Sequence, residues 1–222
     1  MVITWLGLSC FKIQAKTGDK EAVILTDPFD NSAGIRLPRS IAADLVTVSH
    51  KHGLHSNAAD VAPLGDRKKP FILDIPGEYE IGNVFVYGIS SVHDDKEGKA
   101  RGKNIIYRIE AEGISLVHLG DLGRELTQAE MEKLENVDIL LIPAGGSTAL
   151  PIKKMVEVVA ALEPRVVIPM HYKLPDVKLP LEPLDKFLRE LGAGKQEPQS
   201  KLKISKKDLP SEDMKVVVLE RG

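Results

Sequence analysis

The chain has 222 residues, 43% of them hydrophobic and 28% charged, with a formal net charge of −2. That length suits one large domain over residues 1–222 with a core of its own, and that charge excludes a general attraction to nucleic acid or to an anionic membrane. The one cysteine, Cys10, excludes an intrachain disulfide framework and a cysteine-rich zinc site.

Residues 2–15 predict two short strands turning near Gly7–Ser9, with Cys10 as a small hydrophobe in one of them. The N-terminal stretch has no basic leader and no cleavage signal. Nothing approaches the roughly 20 apolar residues of a membrane helix, so a soluble cytoplasmic protein is expected. A turn at residues 17–20 leads into a strand at Ala22–Thr26, which ends in Asp27-Pro28. An aspartate there either orients a site or begins a turn. Residues 29–42 read as loop.

Leu45-Val-Thr-Val48 is an apolar, β-branched run and predicts a buried strand. Directly after it come His50, His52 and His55, on a loop marked by Gly53 and Ser56-Asn57. Half of the chain's six histidines thus fall within six positions. Imidazole is the commonest protein ligand for transition metals, so the cluster points to a metal site.

Residues 58–70 predict a short helical turn, with Asp66–Lys69 as a solvated loop. Pro70–Ile75, Tyr79–Ile81 and Val84–Tyr87 read as strands of an antiparallel meander, turning at Pro76-Gly77. Ile89–Val92 leads into His93-Asp94-Asp95. His93 is either a ligand or an ordinary loop residue; Asp94 and Asp95 either orient it or stay solvated, and solvation is favoured for at least one. Lys96–Lys103 predicts a mobile polar loop. Its Lys99, Arg101 and Lys103 either contact an anionic substrate or, the favoured reading, are simply solvated. Asn104–Ile109 and Ile114–Leu119 form a hairpin about Glu112-Gly113, running into Gly120-Asp121.

From here strands alternate with helices. Thr127-Gln-Ala-Glu130 is a capping box opening a helix to about Leu134. Val137–Ile142 is a buried strand. Residues 151–162 carry apolar side chains at helical spacing. Arg165–Ile168 is a strand ending in Pro169-Met-His171-Tyr172, and residues 181–191 predict a further helix stopped by Gly192. Two tail strands, Lys201–Ile204 and Met214–Leu219, complete an α/β chain with two sheets inside a helical coat.

Five histidines therefore follow strand-like runs: His50, His52, His55, His93 and His171. His118 lies within such a run and reads as a packed or supporting residue; Tyr172 reads as packing. The stretches Val-Ser-His50-Lys-His52-Gly-Leu-His55, His93, Leu-Gly-Asp121-Leu-Gly and Ile-Pro-Met-His171-Tyr resemble, in order and spacing, the metallo-β-lactamase superfamily. The likeness is to its small branch similar to ascorbate-6-phosphate lactonase, and it covers essentially the whole chain. It implies an αββα four-layer sandwich with two mixed sheets. It also implies His50, His52 and His93 at one metal site, His55 and His171 at a second, and Asp121 bridging them and positioning the nucleophile.

One position departs from the family's His-x-His-x-Asp-His pattern. Leu54 stands where the family has aspartate, so the second site is expected to be weakened. The resemblance implies one or two divalent ions, zinc first, with manganese or iron suiting the same donors. It implies hydrolysis of a small ester-, lactone- or phosphate-bearing molecule; the charge balance and length argue against a nucleic-acid or membrane partner, and a homo-oligomer stays open. The alternative is a catalytically impaired descendant that binds a ligand or partner through the old cleft.

Overall fold

A computed structural model describes residues 1–147 and 149–222. In chain order the strands are β1 (Val2–Gly7), β2 (Cys10–Thr17), β3 (Lys20–Thr26), β4 (Ala42–Ala43), β5 (Leu45–Thr47), β6 (Ala62–Pro63), β7 (Phe71–Leu73) and β8 (Gly77–Ile81). They continue with β9 (Val84–Val92), β10 (Lys103–Ala111), β11 (Ile114–His118), β12 (Ile139–Pro143), β13 (Val166–Met170), β14 (Leu202–Lys203) and β15 (Lys215–Val216). The helices are α1 (Gln128–Lys133), α2 (Ile152–Leu162) and α3 (Leu184–Glu190).

Two mixed sheets form the body. One has the order β14-β1-β2-β3-β5-β7, the other β15-β13-β12-β11-β10-β9-β8. In the first, β1 to β3 are antiparallel, and β3, β5 and β7 run parallel. In the second, β8 to β11 are antiparallel, and β11, β12, β13 and β15 run parallel. Side chains that alternate along a strand point to opposite faces, and this splits the core in two. Ile24 and Leu45 join the large cluster between the sheets, whereas Val23, Leu25, Val46 and Val48 join a smaller cluster on the outer face of the first sheet. That outer cluster is closed by the 3-10 turns at Asn31–Ala33 and Ala58–Asp60 and by Val177 and Leu181. The α-helices serve the second sheet: Met155, Val159 and Leu162 of α2 and Phe187 and Leu188 of α3 join the large cluster. Strands β12 and β13 are buried throughout, as parallel strands covered on both faces are.

The helix signals translate closely. Thr127 and Glu130 form the reciprocal capping box of α1, and Glu163, in left-handed backbone, ends α2. Helix α3 is shorter than residues 181–191, because Pro183 takes its N-cap and Leu191 its C-cap.

Three expectations are corrected. The stretch 70–87 is no single meander: β7 pairs in parallel with β5 in the first sheet, and β8 pairs with β9 in the second. Pro76-Gly77 is thus a crossing between sheets, and a turn signal alone cannot tell a hairpin from a crossover. The strand expected at Val84–Tyr87 is longer, since β9 runs unbroken through Gly88 to Val92. A Cβ at Gly88 would meet Ile75 O and Pro76 Cα at 3.2 Å, so the glycine answers a close approach and no turn. Residues 96–103 are ordered around Asp94, whose carboxylate accepts backbone N–H bonds from Lys96, Gly98, Ala100 and Arg101.

Candidate metal centre

The centre lies where strands of both sheets end. Leaving β5, the chain coils back on itself: His52 N–H bonds to His50 O, and His55 N–H to His52 O. The coil sets the His50 and His55 rings 4.2 Å apart, centroid to centroid. His93, just past β9, stands 4.7 Å from His50, and His171, just past β13, stands 5.3 Å from His55. Asp121 follows β11 and faces three of these rings. Its Oδ2 is 3.4 Å from His55 Nε2 and from His93 Nε2, and its Oδ1 is 3.6 Å from His171 Nδ1. Donor atoms of His50, His55 and Asp121 all lie within 4.8 Å of one another.

His52 is placed differently. It is exposed, 6.1 Å from His50 and 6.3 Å from His55, and its Nδ1 accepts the Leu54 N–H. It stands at the rim of the cluster. Leu54 belongs to the apolar cluster outside the first sheet.

A buried set of side chains orients the imidazoles. Asp27, at the end of β3, accepts from Ser49 N–H at 2.7 Å and from the Ser49 hydroxyl. Its Oδ2 also lies 2.9 Å from His55 Nδ1, which turns His55 Nε2 toward the cleft. With the Ser49 hydroxyl proton committed to Asp27, His50 Nδ1 donates to Ser49 Oγ at 3.0 Å, and His50 Nε2 is left as the acceptor. Of the two readings of Asp27, orientation of the site is the one the geometry supports. Ser9, in the β1–β2 turn, places its hydroxyl 3.0 Å from His171 Nδ1. His118 Nε2 donates to Ser9 O, and its Nδ1 accepts from Gly120 N–H, so this histidine props two site loops. Asn104 holds the Asp121 turn from the side, through Asp121 N–H and Leu119 O.

Ser9, Ser49 and Asn104 escape a sequence reading because their residue types are common and their partners are distant. Only the strand pattern, which buries Asn104, hints at one of them. Asp94 does not orient His93, since its oxygens serve the following loop; Asp95 is solvent-exposed. Tyr172 packs, its ring 4.9 Å from Trp5.

The electrostatics follow from burying two carboxylates among imidazoles. Burial alone would push the proton off His55, but Asp121 and Asp27 outweigh it and raise its pKa to about 10. Burial and the His55 charge pull His50 down to about 3, against the opposing pull of Asp121 and Asp27. Burial likewise takes His171 to about 4, with Asp121 opposing and His55 assisting. Burial would raise Asp121, yet the surrounding imidazoles, His171 and His55 foremost, hold it well below the usual carboxylate range.

A buried imidazole–carboxylate cluster at the ends of two mixed sheets is a family-level feature, and the sequence comparison agrees. Residues 2–171 match the β-lactamase superfamily domain. The chain belongs to this superfamily. A UPF0173 metal-dependent hydrolase of Thermococcus onnurineus is 30% identical over 77% of this chain and 84% of its own length. Another UPF0173 metal-dependent hydrolase, from Methanopyrus kandleri, is 26% identical over 100% of this chain and 98% of its own. Among solved structures, a Thermotoga maritima protein of the metallo-β-lactamase superfamily superposes with a TM-score of 0.77. It is 35% identical and covers 98% of this chain and 97% of its own. Among the described residues no helix is long and apolar enough to cross a membrane.

Proposed function

We propose that this superfamily member is a metal-dependent hydrolase of small ester-, lactone- or phosphate-bearing molecules, acting in the cleft at Asp121. The spacing about Asp121 carries the reading. Two donors each about 2.1 Å from one tetrahedral zinc stand about 3.4 Å apart, and Asp121 Oδ2 is 3.4 Å from His55 Nε2 and His93 Nε2. Asp121 Oδ1 and His93 Nδ1 are buried, and neither has a hydrogen-bond partner among the described residues. Buried polar atoms are rarely left so. The donor set fits a divalent ion.

His50, His55, His93, His171 and Asp121 would hold the metal, with His52 available from the rim. Imidazole and carboxylate donors suit zinc, manganese and iron. When bound, such an ion makes a water acidic enough to lose a proton near neutral pH and supplies positive charge against a developing oxyanion. The protein does the rest. Asp121 Oδ1 accepts a hydrogen from the attacking water and fixes its direction. Asp27 and Ser49 hold the His55 and His50 rings in one tautomer and one orientation. Burial of the cluster keeps its charges strong by excluding bulk water.

Leu54 supports a weaker second metal position, because the expected carboxylate is missing. It also supports the second reading, a ligand-binding module whose chemistry has been lost. Elemental analysis of the purified protein separates the two. Bound zinc, manganese or iron is expected. If none is present and none is taken up on incubation, the hydrolase reading fails.

A further inference from the structure

Two cavities flank the centre, and their charges differ. The larger, of about 760 Å³, lies on the His93 side. Most of its charge is balanced: Lys154 pairs with Glu125 and Glu157, Arg124 with Glu130, Asp94 accepts four backbone N–H groups, and Asp95 and Lys96 add one charge of each sign, while Arg101 borders both cavities. The smaller, of about 460 Å³, shares Ser49 and His50 with the centre. Lys51, Arg101 and Lys103 line it, against the single acid Asp74. Among the described residues neither Lys51 nor Lys103 has a carboxylate within 4.0 Å, although the chain carries a net −2. Lys99, on the same loop, is neutralised by Glu97 at 3.2 Å and does not line this cavity.

The backbone that presents these cations is fixed. Lys103 opens β10 opposite Val92, and Ile105 N–H bonds to Ser49 O at 2.8 Å, tying that strand to the histidine loop. Arg101 N–H is held by Asp94, and its guanidinium donates to Ser147 O at 3.2 Å. Ile75, Pro76 and Ile105 add an apolar wall. Two lysines that line one partly apolar cavity, which shares His50 with the candidate metal centre, offer paired positive charge for an oxyanion.

We propose that this cavity is the subsite for an anionic head group of the substrate, a phosphate or carboxylate, with Lys51 and Lys103 as its charge partners. The inference rests on the hydrolase reading for its role in a reaction, but the anion site itself does not need a metal. It narrows the substrate to a small anionic molecule whose charged end sits beside His50 and whose scissile bond reaches Asp121.

The test is calorimetric titration of metal-loaded and metal-stripped protein with inorganic phosphate and with acetate, at constant ionic strength. At least one anion is expected to saturate a site in both forms; the tighter of the two identifies the head group. The double variant Lys51→Gln/Lys103→Gln should bind it at least about tenfold more weakly, the loss expected when a charged hydrogen bond is removed. Lys99→Gln should bind as the unaltered protein does. Equal binding by the double variant, or saturation by neither anion, overturns the subsite even if metal content and hydrolysis persist. If the anion binds as described but the protein retains no metal and hydrolyses no ester, the subsite stands and the hydrolase reading falls.

Discussion

Asp27 adopts a left-handed backbone conformation, φ 38°, which a residue with a Cβ takes up at a cost of order 1–3 kcal/mol. What it gains is a buried carboxylate that serves Ser49 and His55 at once. Asp27→Asn keeps the volume but removes the charge that stabilises His55. We expect metal affinity to fall about 10–100-fold, read by competition with a chelator. An unchanged affinity would reduce Asp27 to a turn residue.

The pKa shifts give a pH profile for the metal-free protein. His50 and His171, lowered from 6.5 to about 3 and about 4, stay neutral in the fold while the unfolded chain takes up protons. Their contribution is full above pH 6.5 and is lost as pH falls toward 4 and 3. His55, raised from 6.5 to about 10, contributes fully below pH 6.5 and loses that contribution as pH rises toward 10. Urea midpoints of the metal-free protein should therefore peak near pH 6.5 and decline on both sides. A midpoint still climbing well above that pH would contradict the charge assigned to His55.

Leu54→Asp probes the departure from the family pattern. In the metal-free protein it places a carboxylate within an apolar cluster and should lower the thermal midpoint. If residue 54 reaches the second metal position, the metal-loaded form recovers, and the gap between the two midpoints widens. An unchanged gap would mean that the side chain never reaches the ion.

At the scale of elements, the centre depends on how closely its loops approach one another. A Cβ at Gly123 would stand 2.0 Å from the His93 carbonyl carbon, and one at Gly145 would stand 2.3 Å from His171 O. Each glycine lets one site loop press against the backbone that carries a histidine. Gly123→Ala is expected to push His93 away from Asp121 and to lower metal content, while circular dichroism stays native. Full metal content in that variant would show that the loop yields without cost. The same scale shows what a sequence conveys about elements. The capping box of α1, the apolar face of α2 and the run into β5 are local patterns, and they fold as they read. The partners of β7 and β8 are set by distant strands, so the crossover at Pro76-Gly77 carries the same local signal as a hairpin turn. Asp94, by contrast, is a local device whose signal was masked: a run of charge and glycine reads as mobile whether or not a buried carboxylate gathers its amides.

For the whole molecule, the cluster draws on loops that follow β5, β9, β11 and β13 and so joins the two sheets. Large apolar clusters hold those sheets without it. Stripping the metal should thus leave a folded protein with a lower thermal midpoint. A ligand at about a thousandfold its dissociation constant adds about 4 kcal/mol, or about 8–16 °C at the 2–4 °C per kcal/mol of a chain this size. Differential scanning calorimetry with and without chelator measures it. Complete unfolding on chelation would mean that the core alone does not suffice.

The sequence by itself determined which residues stand at strand ends, because periodicity and turn chemistry act over a few residues. His50, His55, His93, Asp121 and His171 could all be named from that, together with the family they resemble. Only the tertiary structure decided which way each one faces. It set His52 at the rim, Leu54 in the outer apolar cluster, His118 against Ser9, and Lys51 and Lys103 on one cavity. Those placements depend on which strand lies next to which, and that is settled by burying apolar surface across the whole molecule.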